Sequence, residues 1–259
     1  MSGYALIGEK LGHSYSKIIH QKFYEIRNSA DTYDLIEIPK GNLKEEFKRI
    51  SSGYAGINVT IPYKQEVMEF LNELSPEAQD IGAVNTISFS DGCAKGYNTD
   101  YFGLKCTLNV NDIDIKNKKV VILGTGGVSK SALAVCRDMG AGDITFVSTS
   151  SPDLGDYRVI TYNDKIEGDV LINCTPVGMY PKVDACPVDD ITSSFSAVVD
   201  TIYNPAVTRL MELAGQKGIK AVSGLYMLIS QGLYSQAIWR GEETDTEVID
   251  KIYRDMSAN

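Results

Sequence analysis

The sequence predicts an α/β protein of two domains, the second of them a doubly wound parallel sheet. Three observations carry this. The chain has 259 residues, enough for two cores. Short apolar runs alternate with stretches of helical periodicity along its length, the rhythm of strands joined through helices. Finally, Val120-Val121-Ile122-Leu123 is continuously apolar, as in a strand buried on both faces, and glycines and a helical pattern follow it directly.

In the first hundred residues, Ala5-Leu6-Ile7 and Leu35-Ile36-Glu37-Ile38 read as strands. Between them Ile18, Ile19, Phe23 and Ile26 recur at helical spacing. Ile57-Asn58-Val59-Thr60-Ile61 alternates as a strand, and Pro62 stands where a helix can begin. Val84-Asn85-Thr86-Ile87-Ser88-Phe89 alternates again. The turn Ser90-Asp91-Gly92 predicts a hairpin with a partner strand running towards Gly96. After Leu123, a helix is expected near 129–139, ended by Gly140 and Gly142. Ile144-Thr145-Phe146-Val147, Val170-Leu171-Ile172-Asn173-Cys174 and Ala197-Val198-Val199-Asp200 supply further strands in the doubly wound rhythm. The stretch 225–239 is helical in pattern. Thr244-Asp245-Thr246-Glu247 reads as a capping box for a last helix. These final helices are expected to return to the first domain, which would then comprise 1–101 and 228–259, with 102–227 as the second domain.

Composition excludes several function classes. The net charge of −9 disfavours a general nucleic-acid or anionic-membrane surface, which needs clustered basic residues. No apolar run reaches the ~18 residues of a membrane span. The first residues read as a strand rather than a secretory leader. The five cysteines are scattered without a CxxC pair and there are two histidines, so neither a disulfide framework nor a metal site is expected. Reduced thiols in a cytoplasmic protein are the natural reading.

The loop Gly124-Thr125-Gly126-Gly127-Val128-Ser129 follows a strand and opens a helix. Its N–H groups can cradle a pyrophosphate at the helix N-terminus, and Gly126 and Gly127 let phosphates approach without a Cβ in the way. Ser129 stands where a third glycine is usual. The loop therefore points to a Rossmann-like dinucleotide site. An NAD site places an acid at the end of the second strand, ~20 residues past the loop. Here Val147 is followed by Ser148-Thr149-Ser150-Ser151. The absence of a carboxylate disfavours NAD, and the hydroxyls could receive a 2′-phosphate. The usual arginine clamp is missing too, which leaves Lys130 or Arg158 as helpers.

Polar motifs in the first domain complete the pattern. Ser14 and Ser16 could hold a carboxylate at the start of the first helix, or Ser14 could simply cap it. Asn58 and Thr60 share a strand face. Lys64 would begin the following helix, where the positive helix end would lower its pKa. Asp100 could cap a helix starting at Tyr101. Taken together, Gly12-His13-Ser14-Tyr15-Ser16, Asn58-Val59-Thr60-Ile61-Pro62-Tyr63-Lys64, Gly82-Ala83-Val84-Asn85-Thr86 and Asn98-Thr99-Asp100 resemble the shikimate dehydrogenases closely. The resemblance continues through Gly124-Thr125-Gly126-Gly127, Asn173-Cys174-Thr175-Pro176-Val177-Gly178-Met179, Asp200-Thr201-Ile202-Tyr203-Asn204-Pro205 and Gly224-Leu225-Tyr226-Met227-Leu228, with Gln231 after them. It spans essentially the whole chain, in order.

The resemblance implies an NADP-dependent enzyme that reduces 3-dehydroshikimate to shikimate in aromatic amino-acid biosynthesis. Lys64 and Asp100 would be catalytic. Ser14 and Ser16 would hold the substrate carboxylate, with Tyr203 nearby. Asn58, Thr60, Lys64, Asn85, Asp100 and Gln231 would bind the ring hydroxyls and the reacting oxygen. Gly124, Gly126, Gly127 and Val128 would carry the pyrophosphate, and Ser148 and Thr149 the adenosine end. Asn173, Thr175, Gly178, Met179, Gly224 and Met227 would line the rest of the cofactor path. The family commonly carries an arginine in the turn that here reads Ser148-Thr149-Ser150, a departure that bears on cofactor selectivity. Ser16 leans towards shikimate, because quinate-preferring relatives often have threonine there. Two other readings stay open. One is a quinate/shikimate dehydrogenase with relaxed cofactor use; the other is a dinucleotide-sensing protein without turnover. The expected partner is a small-molecule substrate, with the chain acting as monomer or homodimer.

Overall fold

The computed structural model describes residues 1–12, 14–150 and 152–258. His13 and Ser151, which belong to two of the motifs above, lie outside the described residues. The chain divides into two compact units, one of Met1–Gly103 with Ile229–Asn259 and one of Leu104–Leu228.

The first unit is built on a mixed six-stranded sheet. Its strands are β1 (Gly3–Gly8), β2 (Thr32–Glu37), β3 (Gly56–Val59), β4 (Glu73–Leu74), β5 (Thr86–Ser90) and β6 (Cys93–Tyr97), in the order β2-β1-β3-β5-β6-β4. β1 runs parallel to both β2 and β3, whereas β5 runs antiparallel to β3 and to β6. Helices α1 (Ser16–Arg27), α2 (Leu43–Ser51) and α3 (Pro76–Ile81) belong to this unit. The buried face of α1 is Ile19, His20, Phe23 and Tyr24, while Ile18 faces outwards at 45% exposure. The apolar stripe is therefore narrower than the sequence spacing suggests. Its polar member, His20, is stacked on Tyr33 at 3.9 Å between ring centroids.

Helices α7 (Leu225–Arg240) and α8 (Thr246–Ser257) follow the second unit in sequence. Most of α7 and all of α8 join the first unit, where α8 packs on α1. Trp239 of α7 stacks on Tyr4 at 4.5 Å and donates its indole N–H to Ile87 O at 2.8 Å. A Cβ on Gly56 would lie 2.2 Å from the Trp239 Nε1. The bare glycine backbone of β3 is what lets the indole reach the sheet.

The second unit holds α4 (Thr99–Val110, from Leu104 on), α5 (Gly127–Asp138), α6 (Arg209–Gln216) and a sheet that is parallel throughout. Its strands are β7 (Lys119–Leu123), β8 (Asp143–Val147), β9 (Arg158–Ile160), β10 (Val170–Asn173), β11 (Ala197–Asp200) and β12 (Lys220–Val222). They lie in the order β12-β11-β10-β7-β8-β9. The order reverses between β7 and β10, which is the switch point where doubly wound sheets open a crevice at the carboxyl ends of their strands. All residues of β10 and β11 are buried, as continuous apolar runs require.

Four local expectations are corrected. β3 stops at Val59, and Ile61 is 76% exposed, because the chain leaves the sheet one residue after its last ladder partner. No α-helix begins at Pro62. Residues 61–65 form turns, and a short 3₁₀ helix spans Glu66–Phe70. Lys64 consequently has no α-helix N-terminus beside it. The last helix is capped by Asp245, whose carboxylate accepts from Glu247 N and Val248 N, rather than by Thr244. Asp100 does not cap α4. It sits inside the first turn, and Asn98 Oδ1 accepts the Tyr101 N–H instead.

Two stability predictions follow from this packing. Gly56→Ala is expected to lower stability by about 1–3 kcal/mol through overpacking against Trp239, read as a fall in Tm; an unchanged Tm would mean that the indole moves aside freely. The second concerns His20, whose Nδ1 accepts from Gln236 Nε2 at 2.8 Å. Burial pushes its pKa down to about 3. The unfolded imidazole takes a proton below about 6.5, so the unfolded state binds more protons between those values. Stability is therefore lost as pH falls from 6.5 towards 3, by up to about 1.4 kcal/mol per pH unit from this group. Urea unfolding of the wild type and His20→Gln across that range should diverge; parallel curves would refute it.

Candidate active site

In the first unit, topology gathers the polar motifs at one edge of the sheet. β1 and β3 are parallel, so the loops after both emerge at the same end; Thr60 N donates to Ile7 O at 2.9 Å and Glu9 N to Ile61 O at 3.3 Å. This sets the loop carrying Ser14 and Ser16 beside the one carrying Thr60 and Lys64. β5 is antiparallel, so its start lies at that same end. Val59 N donates to Asn85 O and Val84 N to Lys64 O, both at 2.8 Å. β6 returns to this edge at Tyr97, and Asn98-Thr99-Asp100 leads directly into α4.

At this edge Lys64 Nζ donates to Asp100 Oδ2 at 2.6 Å, with the two side chains only 19% and 13% exposed. Asn85 Nδ2 donates to the other carboxylate oxygen at 2.9 Å and stands 3.5 Å from Gln231 Oε1. An ammonium, a carboxylate and two amides thus converge from four separate segments. Ser14 and Ser16 are half-buried, and Ser14 Oγ accepts the Ser16 N–H at 3.2 Å. Asn58 is buried and engaged at both ends of its amide. Its Oδ1 accepts from the Tyr33 hydroxyl at 2.7 Å, and its Nδ2 donates to Ser235 Oγ at 2.8 Å and Thr86 Oγ1 at 3.0 Å. Any contact Asn58 makes with a ligand is additional to these. Thr86, Thr99 and Ser235 were not singled out from the sequence as site residues, because a buried hydroxyl carries no signal until its neighbours are known.

In the second unit, the remaining predicted residues lie in loops after the strands of the parallel sheet or in the first turns of α5 and α7. Gly124 has φ +90°, and a Cβ there would lie 2.9 Å from Thr175 Cγ2, so the loops after β7 and β10 abut across the switch point. Gly126 and Gly127 have open space where a Cβ would stand. α5 begins at Gly127 with no acid in its first turn. Ser129, in place of a third glycine, is buried and donates to Gly126 O at 2.6 Å, which ties the loop to the helix. After β8, Ser150 N donates to Ser148 Oγ at 3.2 Å. Arg158 pairs in register with Thr145, the middle residue of β8, two residues before the carboxyl end of that strand. Lys130 is exposed in the first turn of α5.

Asn173 and Thr175 are bound to one another. Asn173 Oδ1 accepts from Thr175 N at 3.0 Å and from Thr175 Oγ1 at 2.7 Å, and Asn173 Nδ2 donates to Asp200 at 2.9 Å. Burial pushes the Asp200 carboxyl up, against donation by Thr208, Ile202 and Asn173. Tyr203 is half-buried after β11, and Gly178 (φ +97°) and Met179 follow β10, the latter 42% exposed. Gly224 lies against the Thr201 backbone, 2.1 Å from Thr201 O to a Cβ built there, and Met227 is buried.

The geometry of both units matches known proteins. Residues 6–87 match the model of the shikimate dehydrogenase substrate binding domain. A shikimate dehydrogenase (NADP(+)) of Clostridium beijerinckii is 41% identical, covering 98% of this chain and 97% of that protein. The chain belongs to the shikimate dehydrogenase family. Its structure superposes on a chorismate mutase/shikimate 5-dehydrogenase fusion protein from Clostridium acetobutylicum with TM-score 0.96 and 43% identity, covering 100% of this chain and 98% of that one. A shikimate dehydrogenase solved in complex with NADP+ gives TM-score 0.90 at 32% identity, covering 99% and 96%. Membership in this family accounts for a two-unit α/β chain in which a parallel sheet carries a glycine loop. Among the described residues no helix is long and apolar enough to cross a membrane.

Proposed function

We propose that the chain catalyses the reversible NADPH-dependent reduction of 3-dehydroshikimate to shikimate, with Lys64 and Asp100 at the reacting oxygen. As a member of its family it is an NADP-dependent oxidoreductase of the shikimate pathway, the route to aromatic amino acids. The single observation that carries the site assignment is the Lys64–Asp100 pair at 2.6 Å, flanked by the Asn85 and Gln231 amides.

The residues present fit the dinucleotide. Open space at Gly126 and Gly127, together with an acid-free helix start, suits a pyrophosphate. Gly124, Val128, Asn173, Thr175, Gly178, Met179, Gly224 and Met227 would hold the rest of the cofactor, with Ser148 and Thr149 at the adenosine end. When bound, NADPH supplies the hydride that reduces the ring carbonyl. The chain's own residues meet the other half of the reaction. Lys64 uses one N–H on Asp100 and can offer another to the carbonyl oxygen, stabilising the alkoxide as it forms and delivering the proton. Asp100 holds the ammonium in one direction and can accept from a neighbouring ring hydroxyl. Asn85, Gln231 and Thr60 surround the ring hydroxyls, with Asn58 behind them. Ser14 and Ser16 take the carboxylate. In the oxidative direction the Lys64–Asp100 pair removes the hydroxyl proton.

Lys64→Ala is expected to lower kcat by ~10²–10⁴ with a smaller change in KM, the scale of a lost acid–base group. An unaltered kcat would remove Lys64 from the chemistry. Steady-state comparison of shikimate with quinate, and of NADPH with NADH, tests the substrate and cofactor assignments directly. For the 2′-phosphate we assign the positive charge to Lys130, exposed in the first turn of α5, since the β8 turn has no arginine and Arg158 pairs with the middle of β8 rather than its carboxyl end. Lys130→Met should weaken 2′,5′-ADP binding by about 10–100-fold, the worth of a hydrogen bond to a charged group, while leaving 5′-AMP unchanged in calorimetric titration. Equal losses for both ligands would contradict this.

A further inference from the structure

Behind the Lys64–Asp100 pair lie the hydroxyls of Thr86, Thr99 and Ser235, all fully buried. Thr86 Oγ1 is 3.1 Å from Thr99 Oγ1 and 2.9 Å from Ser235 Oγ, and the last two are 3.4 Å apart. Each hydroxyl owns one proton and can also accept, so each can both donate to and accept from its neighbours. Ser235 donates to the backbone carbonyl of Gln231 at 2.9 Å. Asn85 Oδ1 has two lone pairs. One takes the Thr99 backbone N–H at 2.7 Å, and the Thr86 and Thr99 hydroxyls both stand 3.1 Å from the oxygen to share the other. The Thr99 hydroxyl also lies 3.4 Å from Gln231 Oε1. The amide protons of Asn58 serve Ser235 and Thr86 as described above.

This arrangement has a direction. The carbonyl end of Asn85 is turned inwards to two donors, so its nitrogen is the end that meets Asp100. Turned over, the amide would set its oxygen against the carboxylate and leave the Thr99 N–H facing an NH₂ group, two buried polar losses at once. Gln231 is aligned by the same cluster, through its backbone carbonyl and its Oε1. We infer that Thr86 and Ser235 are positioning residues for the reaction: the Thr86 hydroxyl, itself held at 2.9 Å by Ser235, fixes the Asn85 amide in one orientation, and through Asn85 the two hold the Asp100 carboxylate under Lys64. The inference rests on the assignment of Lys64 and Asp100 to the reacting oxygen. It differs from a packing role, in which the hydroxyls only bind α7 to the sheet and matter for stability alone.

The test removes each hydroxyl with little change of shape. Thr86→Val, Ser235→Ala and the conservative Thr86→Ser are assayed with shikimate and NADP+ for kcat, single-turnover rate and KM, beside Tm. Thr86→Val and Ser235→Ala are expected to lower kcat and the single-turnover rate about 5–100-fold, the rate equivalent of ~1–3 kcal/mol, with a smaller change in KM. Thr86→Ser, which keeps the hydroxyl, should return most of the lost rate. A fall in Tm with kcat within twofold of the wild type overturns the inference, as does failure of both Thr86→Val and Ser235→Ala to fold, since either result makes the hydroxyls structural. If one of them fails to fold, the other is read by the same criteria. Lys64→Ala is run in parallel. Should it retain full kcat, the underlying site assignment fails; should it collapse while both hydroxyl variants stay active, only the positioning role fails.

Discussion

An ammonium and a carboxylate 2.6 Å apart, each less than a fifth exposed, set the terms for the rest of the first unit. Withdrawing two charges from water costs several kcal/mol apiece, and their mutual attraction offsets this only when further hydrogen bonds satisfy the remaining lone pairs. Here Asn85 supplies the second donor to Asp100, with its own Oδ1 turned inwards to the Thr99 backbone N–H and the Thr86 hydroxyl. The polar core behind the site is thus a consequence of the pair in front of it. Such a network is stable only when nearly every member is satisfied, which accounts for the number of contacts converging on Thr86 and Asn85.

The second unit solves a different problem. A dinucleotide needs bare backbone and positive partial charge, and a parallel sheet presents both at the carboxyl ends of its strands. The reversal of strand order between β7 and β10 opens the loops there, and Gly124 lets the two loops nearest the reversal touch. Asn173, Thr175, Asp200 and Thr208 then brace the neighbouring loops through a chain of hydrogen bonds. Ser129 shows that a glycine position can be filled by a small residue when its hydroxyl finds an acceptor close by.

Much of the site was legible because its parts are local. The glycine loop, the strand before it and the helix after it are neighbours in sequence. The motifs around Ser14, Lys64, Asn85 and Asp100 are short and ordered along the chain. Local readings failed where two residues competed for one task. Asp245 rather than Thr244 caps the last helix, and Asn98 rather than Asp100 caps α4, because the capping residue is chosen by the backbone path and not by residue type alone. The helix expected after Pro62 is replaced by turns, so the argument from a helix end beside Lys64 does not apply.

The sequence by itself determined the alternation of strands and helices, the position of the dinucleotide loop and the lack of an acid after Val147. These depend on periodicity and on chemistry within a few residues. The tertiary structure decided that Lys64, 36 positions away in the chain, meets Asp100, that Asn58 and Asn85 share partners with Ser235 of α7, and that Arg158 pairs with Thr145 in mid-strand. It did so because strand direction and register, set by burial across the whole sheet, choose which loop ends share an edge, and no local pattern encodes that choice.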